Sequence, residues 1–86
     1  MTDCPERKNK LEINEADDAF IVYDPELDRV HSLNHTAVFV LELCDGNHTV
    51  DEIIEITADA FHLETSPTSE VRDAIASFGE QGLLKS

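Results

Sequence analysis

Phe20-Ile-Val-Tyr-Asp-Pro-Glu-Leu-Asp-Arg-Val-His-Ser-Leu-Asn34 decides how this chain is organised. Phe20 to Tyr23 is rich in β-branched and aromatic residues and predicts a well-buried strand. Asp24 to Asp28 supplies turn chemistry, with Pro25 presetting φ at the second turn position. Arg29 to Leu33 predicts the returning strand of a hairpin. On a period of two, Val30 and Ser32 share one face, and Arg29, His31 and Leu33 share the other. Asn34, which closes the strand, is a preferred N-cap for the helix that the following residues predict.

Downstream, Thr36 to Leu43 is almost wholly apolar, which predicts a central helix buried on most sides. Asp45-Gly46-Asn47-His48 stops it, with Gly46 suited to a left-handed cap. Thr49-Val-Asp-Glu52 has the spacing of a capping box, and Ile53, Ile54, Ala58 and Phe61 follow at helical spacing. His62 to Thr65 is a connector. Ser66-Pro67 predicts the start of a third helix, with serine as cap and proline at the first helical position. Its inward stripe is Val71, Ala74, Ile75 and Phe78, Gly82 ends it, and Leu83 and Leu84 tuck back against the core. Upstream, Lys10-Leu-Glu-Ile-Asn14 alternates and predicts a short strand with Leu11 and Ile13 inward, followed by a polar turn at Glu15 to Asp18. Residues 1–9 read as a flexible tail, and 10–86 as a single domain. A hairpin followed by three short helices is the layout of a winged helix, a fold that usually reads DNA.

Charge argues against that use. The 86 residues carry 6 basic and 19 acidic side chains, a net −13. From Leu11 onward only Arg29, Arg72 and Lys85 stand against 17 acids. Such a surface repels nucleic acid and anionic lipid and attracts cationic partners. The third helix offers Glu70, Asp73 and Glu80 against Arg72, where a recognition helix needs cations for phosphates. No apolar run approaches the ~20 residues of a membrane span. The first ten residues lack a secretory signal, so a cytoplasmic location is expected. Cys4 and Cys44 form no Cys-x-x-Cys pair, and Cys44, at the end of an apolar helix, reads as a small buried hydrophobe.

Catalysis has little to work with. His31, His35, His48 and His62 are scattered over strand, helix start and loops, so no metal ligand set, cofactor or catalytic residue is expected. A surface for peptide remains. A hairpin of this kind leaves one strand edge with unpaired amides and carbonyls, where an extended peptide adds as a further strand. Arg72, Ala76 and Gly79 fall on one face of the third helix beside the core stripe, bordered by Ile75, and can form the opposite wall of such a groove. The same small residues equally suit packing on a neighbouring element.

Ile21-Val-Tyr-Asp-Pro25, Val30-His-Ser-Leu-Asn34, Leu43-Cys-Asp-Gly46, Thr49-Val-Asp-Glu-Ile53 and the final Gly82-Leu-Leu84 resemble, in order and spacing, the PqqD-like family. These are the peptide-recognition domains of ribosomal peptide modification pathways, also called RiPP recognition elements. The resemblance spans about residues 11 to 84. It implies an α+β winged helix-turn-helix, a three-stranded antiparallel sheet followed by three helices, without chemistry of its own. It further implies binding of a precursor's leader peptide as an antiparallel strand on the third strand, against the third helix. The precursor is then presented to a maturation enzyme such as a radical SAM protein, a cyclodehydratase or a leader protease. Carried onto this chain, the pairing edge is Arg29, Val30, His31, Ser32 and Leu33, and the helical wall is Val71, Arg72, Ile75, Ala76 and Gly79. His31-Ser32 stands where the lasso-peptide branch has an aromatic strand signature. The alternative is an acidic winged-helix regulator that binds another protein or mimics DNA. Either protein is compatible with a monomer or an edge-paired dimer.

Overall fold

A computed structural model describes residues 4–85. Three strands precede three helices: β1 (Glu12–Glu15), β2 (Phe20–Asp24), β3 (Arg29–Leu33), α1 (His35–Leu43), α2 (Val50–Ala60) and α3 (Thr68–Glu80). The strands form one antiparallel sheet in the order β1-β2-β3, so β2 is central and the other two are edges. Tyr23 lies opposite Val30, Val22 opposite His31, and Phe20 opposite Leu33. Alternation therefore puts Phe20, Val22, His31 and Leu33 on the helix side, where Val22 and Leu33 are buried. Ile21, Tyr23, Val30 and Ser32 look away from it. The expected α+β winged-helix layout and the expected faces of the hairpin are both present.

Local chemistry starts α1 and α2 as expected, and glycines follow the ends of α1 and α3 as expected. The Asn34 side chain accepts the Ala37 amide at 2.8 Å. Thr49 Oγ1 accepts the Glu52 amide at 3.1 Å, while Glu52 Oε1 accepts the Thr49 amide at 2.8 Å, a complete capping box. Each cap of this kind contributes roughly 1 kcal/mol. Gly46 and Gly82 both take positive φ, and the Leu83 amide closes on the Phe78 carbonyl at 2.9 Å past the end of α3. In the core, α1 packs on β3 and on both other helices, burying Val38, Val40 and Leu41. Val71, Phe78 and Leu83 close the helix side. Cys44 has no exposed surface, its Sγ meets the Val40 carbonyl at 3.2 Å, and burial pushes the thiol up to about 11.

Four expectations need correcting. β1 begins at Glu12 rather than Lys10, although Leu11 and Ile13 do pack against the core. Pro67, not Ser66, occupies the N-cap of α3, and it is buried; Ser66 Oγ pairs instead with Thr68 Oγ1 at 2.9 Å. On α2 Thr57 is fully buried along with the expected Ile53, and its hydroxyl donates to the Ile53 carbonyl at 2.7 Å. Phe61 stays 37% exposed, edge-on to Phe39 at 5.4 Å. Finally, much of the expected loose tail is tied down, residues 1–3 lying outside the described residues. The Arg7 amide donates to the Cys44 carbonyl at 2.7 Å and the Lys8 amide to the Leu83 carbonyl at 3.0 Å. In return, the Gly46 amide reaches the Pro5 carbonyl at 3.0 Å, and the Lys85 amide reaches the Glu6 carbonyl at 2.8 Å. The backbone groups of Cys44, Gly46, Leu83 and Lys85, at or just past the ends of α1 and α3, find their partners on this segment.

Candidate functional site

Of the two sheet edges, β3 has the composition to accept another strand. It carries Val30, His31, Ser32 and Leu33 behind the single charge of Arg29. Among the described residues nothing pairs with its outer side: the N-terminal segment makes its bridges to Asp45 and Leu84, away from the hairpin. Val30 is 63% exposed, more than any other large hydrophobe of the described residues. His31 is half-buried, with its Nε2 buried and unpartnered among the described residues.

The hairpin that presents this edge is braced at its tip. Asp24 is buried at the end of β2, and its Oδ1 accepts the Glu26 amide at 3.0 Å while Oδ2 accepts Lys8 Nζ at 3.1 Å. Lys8 Nζ also reaches Glu26 Oε1 at 3.0 Å. Burial alone would raise the Asp24 carboxyl, but the Lys8 ammonium and the Leu27 and Glu26 amides outweigh it and hold it below the ordinary carboxylate range. The same contacts, led by the Glu26 carboxylate, raise Lys8. Leu27 rests over Gly82, where a Cβ would come within 2.8 Å of Leu27 Cδ1. On the outer face Tyr23 donates its hydroxyl to Asp28 at 3.0 Å, a bond to a carboxylate that raises the phenol. A turn at Asp24 was legible from Asp-Pro, but its tie to Lys8 was not, since the partner sits 16 residues away on a segment with no regular pattern.

The residues expected on α3 divide. Ile75 is half-buried, and Ala76 and Gly79 are exposed; a Cβ on Gly79 would meet nothing within 4 Å. Gly79 thus does not serve close packing inside the described fold. Arg72 turns to α2, where Nη2 approaches Asp51 Oδ1 at 3.5 Å. Val71 has no exposed surface and belongs to the core, so it offers nothing to a guest in this conformation. α3 itself packs on α1 and α2.

The fold is a small winged helix whose β3 edge, with Arg29 as its one charge, is unpaired on its outer side among the described residues. The family model for Coenzyme PQQ synthesis protein D (PqqD) matches residues 19–84, and the chain belongs to the PqqD family. Its fold is similar to that of TbiB1, solved in complex with the TbiA(beta) leader peptide, with a TM-score of 0.72 and 13% sequence identity. That likeness covers 94% of this chain and 95% of the other. No curated protein matches the sequence. Among the described residues, no helix is long and apolar enough to cross a membrane.

Proposed function

We propose that this chain is a non-catalytic peptide chaperone, a RiPP recognition element. It takes the leader segment of a ribosomally made precursor as an added strand on β3 and presents that precursor to a maturation enzyme. The observation that carries the reading is the outer edge of β3, open along Arg29–Leu33 on a braced hairpin. Membership of the PqqD family supports it. So does the fold shared with TbiB1, a protein whose structure holds a leader peptide.

Mechanistically, ladder hydrogen bonds to the free amides and carbonyls of β3 fix register with little regard to sequence. Side chains of the guest then alternate between the helix side, beside Leu33, and the outer face, beside Val30. The wall opposite is assigned to Ile75, Ala76 and Gly79, where small side chains admit a second backbone. No reacting group is required of this chain, because the chemistry belongs to the enzyme that receives the precursor, whether a radical SAM protein, a cyclodehydratase or a leader protease. The acidic surface favours a leader or enzyme with basic residues, with binding that weakens as salt screens the field.

The test is chemical-shift mapping of labelled protein with synthetic leader peptides from candidate precursors. Strand addition predicts shifts at Arg29–Leu33 together with Ile75–Gly79. Shifts confined to helix faces, with β3 silent, would instead indicate a helix-mediated regulator and end the chaperone reading.

A further inference from the structure

We propose that the guest segment is selected by a three-point pattern on β3: an apolar residue, two unspecified residues, a second apolar residue, then an acid, from N- to C-terminus. This inference rests on the strand-addition reading and adds the chemistry that reading leaves open.

The pattern follows from register. An antiparallel guest places one residue directly opposite each residue of β3, and each guest side chain shares the face of its opposite number. Leu33 is buried at the helix side, so the guest residue opposite it enters an apolar surround. Three positions further along the guest, the residue opposite Val30 lies on the other face. There Val30 is 63% exposed, and its neighbour across the sheet is Tyr23. An apolar guest side chain at that point covers surface that nothing among the described residues covers.

The next guest position meets Arg29. Of the six cations, Lys8, Lys85 and Arg72 are ion-paired, Arg7 donates to the Glu42 carbonyl at 2.9 Å, and Lys10, exposed and without an ion pair among the described residues, lies ahead of β1 rather than on β3. Arg29 is exposed and makes no ion pair among the described residues. The acids nearest it in the turn are engaged elsewhere: Asp24 and Glu26 with Lys8, Asp28 with Tyr23. The carboxylate that Arg29 lacks is therefore supplied by the guest. An acid elsewhere along the guest faces a protein of net charge −13 and is disfavoured. The general field and this single contact thus make opposite demands, and their opposition fixes register.

The experiment uses a neutral extended peptide of about 20 residues carrying Leu-Ser-Thr-Val-Glu at its centre, with single replacements of Val by Ala and of Glu by Gln or Lys. Shift mapping and fluorescence titration are run against the full chain and against Val30→Ser and Arg29→Glu, both exposed positions. A fold check by far-UV circular dichroism accompanies each variant. Each peptide replacement should weaken binding about 2–5-fold, as expected of single cross-strand pairs. With Arg29→Glu the preference should invert, so that the Lys peptide binds more tightly than the Glu peptide. Val30→Ser should remove the penalty for Ala. If the peptides shift β3 but show neither inversion nor loss of the Val preference, the pattern is wrong and strand addition stands. If no peptide in the set, nor any candidate leader, perturbs β3, both fall.

Discussion

β1 and β3 are the two edges of one three-stranded sheet, yet they are dressed for different fates. β1 presents Glu12, Asn14 and Glu15 around a single inward Ile13. An incoming strand would have to bring its backbone alongside carboxylates, which is how folded proteins keep an edge from pairing. β3 offers Val30, His31, Ser32 and Leu33 and one cation. β3 opens the longest acid-free run in a chain with 19 acids, Arg29 to Leu41. The contrast supports the proposed use of β3 as a binding edge, since the same sheet shows how an edge is closed.

The strongest way to break the comparison is proline. Val30→Pro and Ser32→Pro each remove a strand amide. Any such amide that points outward should be lost with little harm to the β2–β3 ladder, and leader binding should fall by at least 100-fold while the thermal midpoint moves little. The same change at Ile13 on β1 should leave leader affinity untouched in any variant that folds. Calorimetric titration with paired melting curves measures both. Equal losses at the two edges would mean the guest does not discriminate between them.

Next in size is an exchange of dress. Replacing Glu12 and Glu15 with threonine and valine removes the guard from β1, and the protein should begin to self-associate through that edge. Sedimentation velocity should show a concentration-dependent dimer absent from the parent. Putting lysine at Val30 should do the reverse at β3, weakening leader binding by roughly 3–10-fold without unfolding an already exposed position.

Among the described residues, the brace behind β3 has no counterpart behind β1, and pH exposes it. Asp24 is held below the ordinary carboxylate range, so its contribution is complete above pH ~4 and fades as acid protonates it below that. Lys8 is raised, so its contribution is complete below pH ~10.5 and lost above its folded value. Lys8→Met should therefore lower the thermal midpoint across neutral pH, with the gap to the parent shrinking as pH falls below about 4. It should also loosen the hairpin tip, read as faster amide exchange at Glu26 and Leu27. A gap independent of pH would mean that Lys8 acts by packing alone.

How much of this was legible follows the range of each interaction. Asn34, Thr49 with Glu52, and Gly82 satisfy backbone groups within a few residues of themselves, and Gly46 takes the positive φ that its turn needs, so cap and turn patterns located them. The alternation of β3 likewise separated Val30 and Ser32 from His31 and Leu33. What stayed hidden depends on residues far apart in the chain. Lys8 finds Asp24 only because the N-terminal segment is threaded between Cys44 and Leu83, and nothing in a polar stretch announces that path. Spacing places Val71 correctly in the inward stripe, and only the family resemblance sets it on the wall beside Arg72, which spacing puts there. Spacing gives an angle around the axis but not which neighbour stands there, and for Arg72 that neighbour proved to be Asp51.

The smallest expected effect asks whether α3 is a wall for β3 alone. Gly79 lies inside α3 with a φ that any residue adopts, and a methyl group there meets nothing within 4 Å. Gly79→Ala should therefore stabilise the fold slightly, by less than the roughly 0.5–1 kcal/mol gained at a mid-helix glycine, because Gly79 sits in the last turn of α3. If a leader backbone lies against this face, the same methyl group crowds the guest. Affinity should then drop a few-fold as stability rises, and Gly79→Leu should widen the loss. Chemical denaturation and titration of the same two variants separate the quantities. A more stable protein that binds its leader as well as the parent would remove α3 from the site and leave the β3 edge to hold its guest against α1 alone.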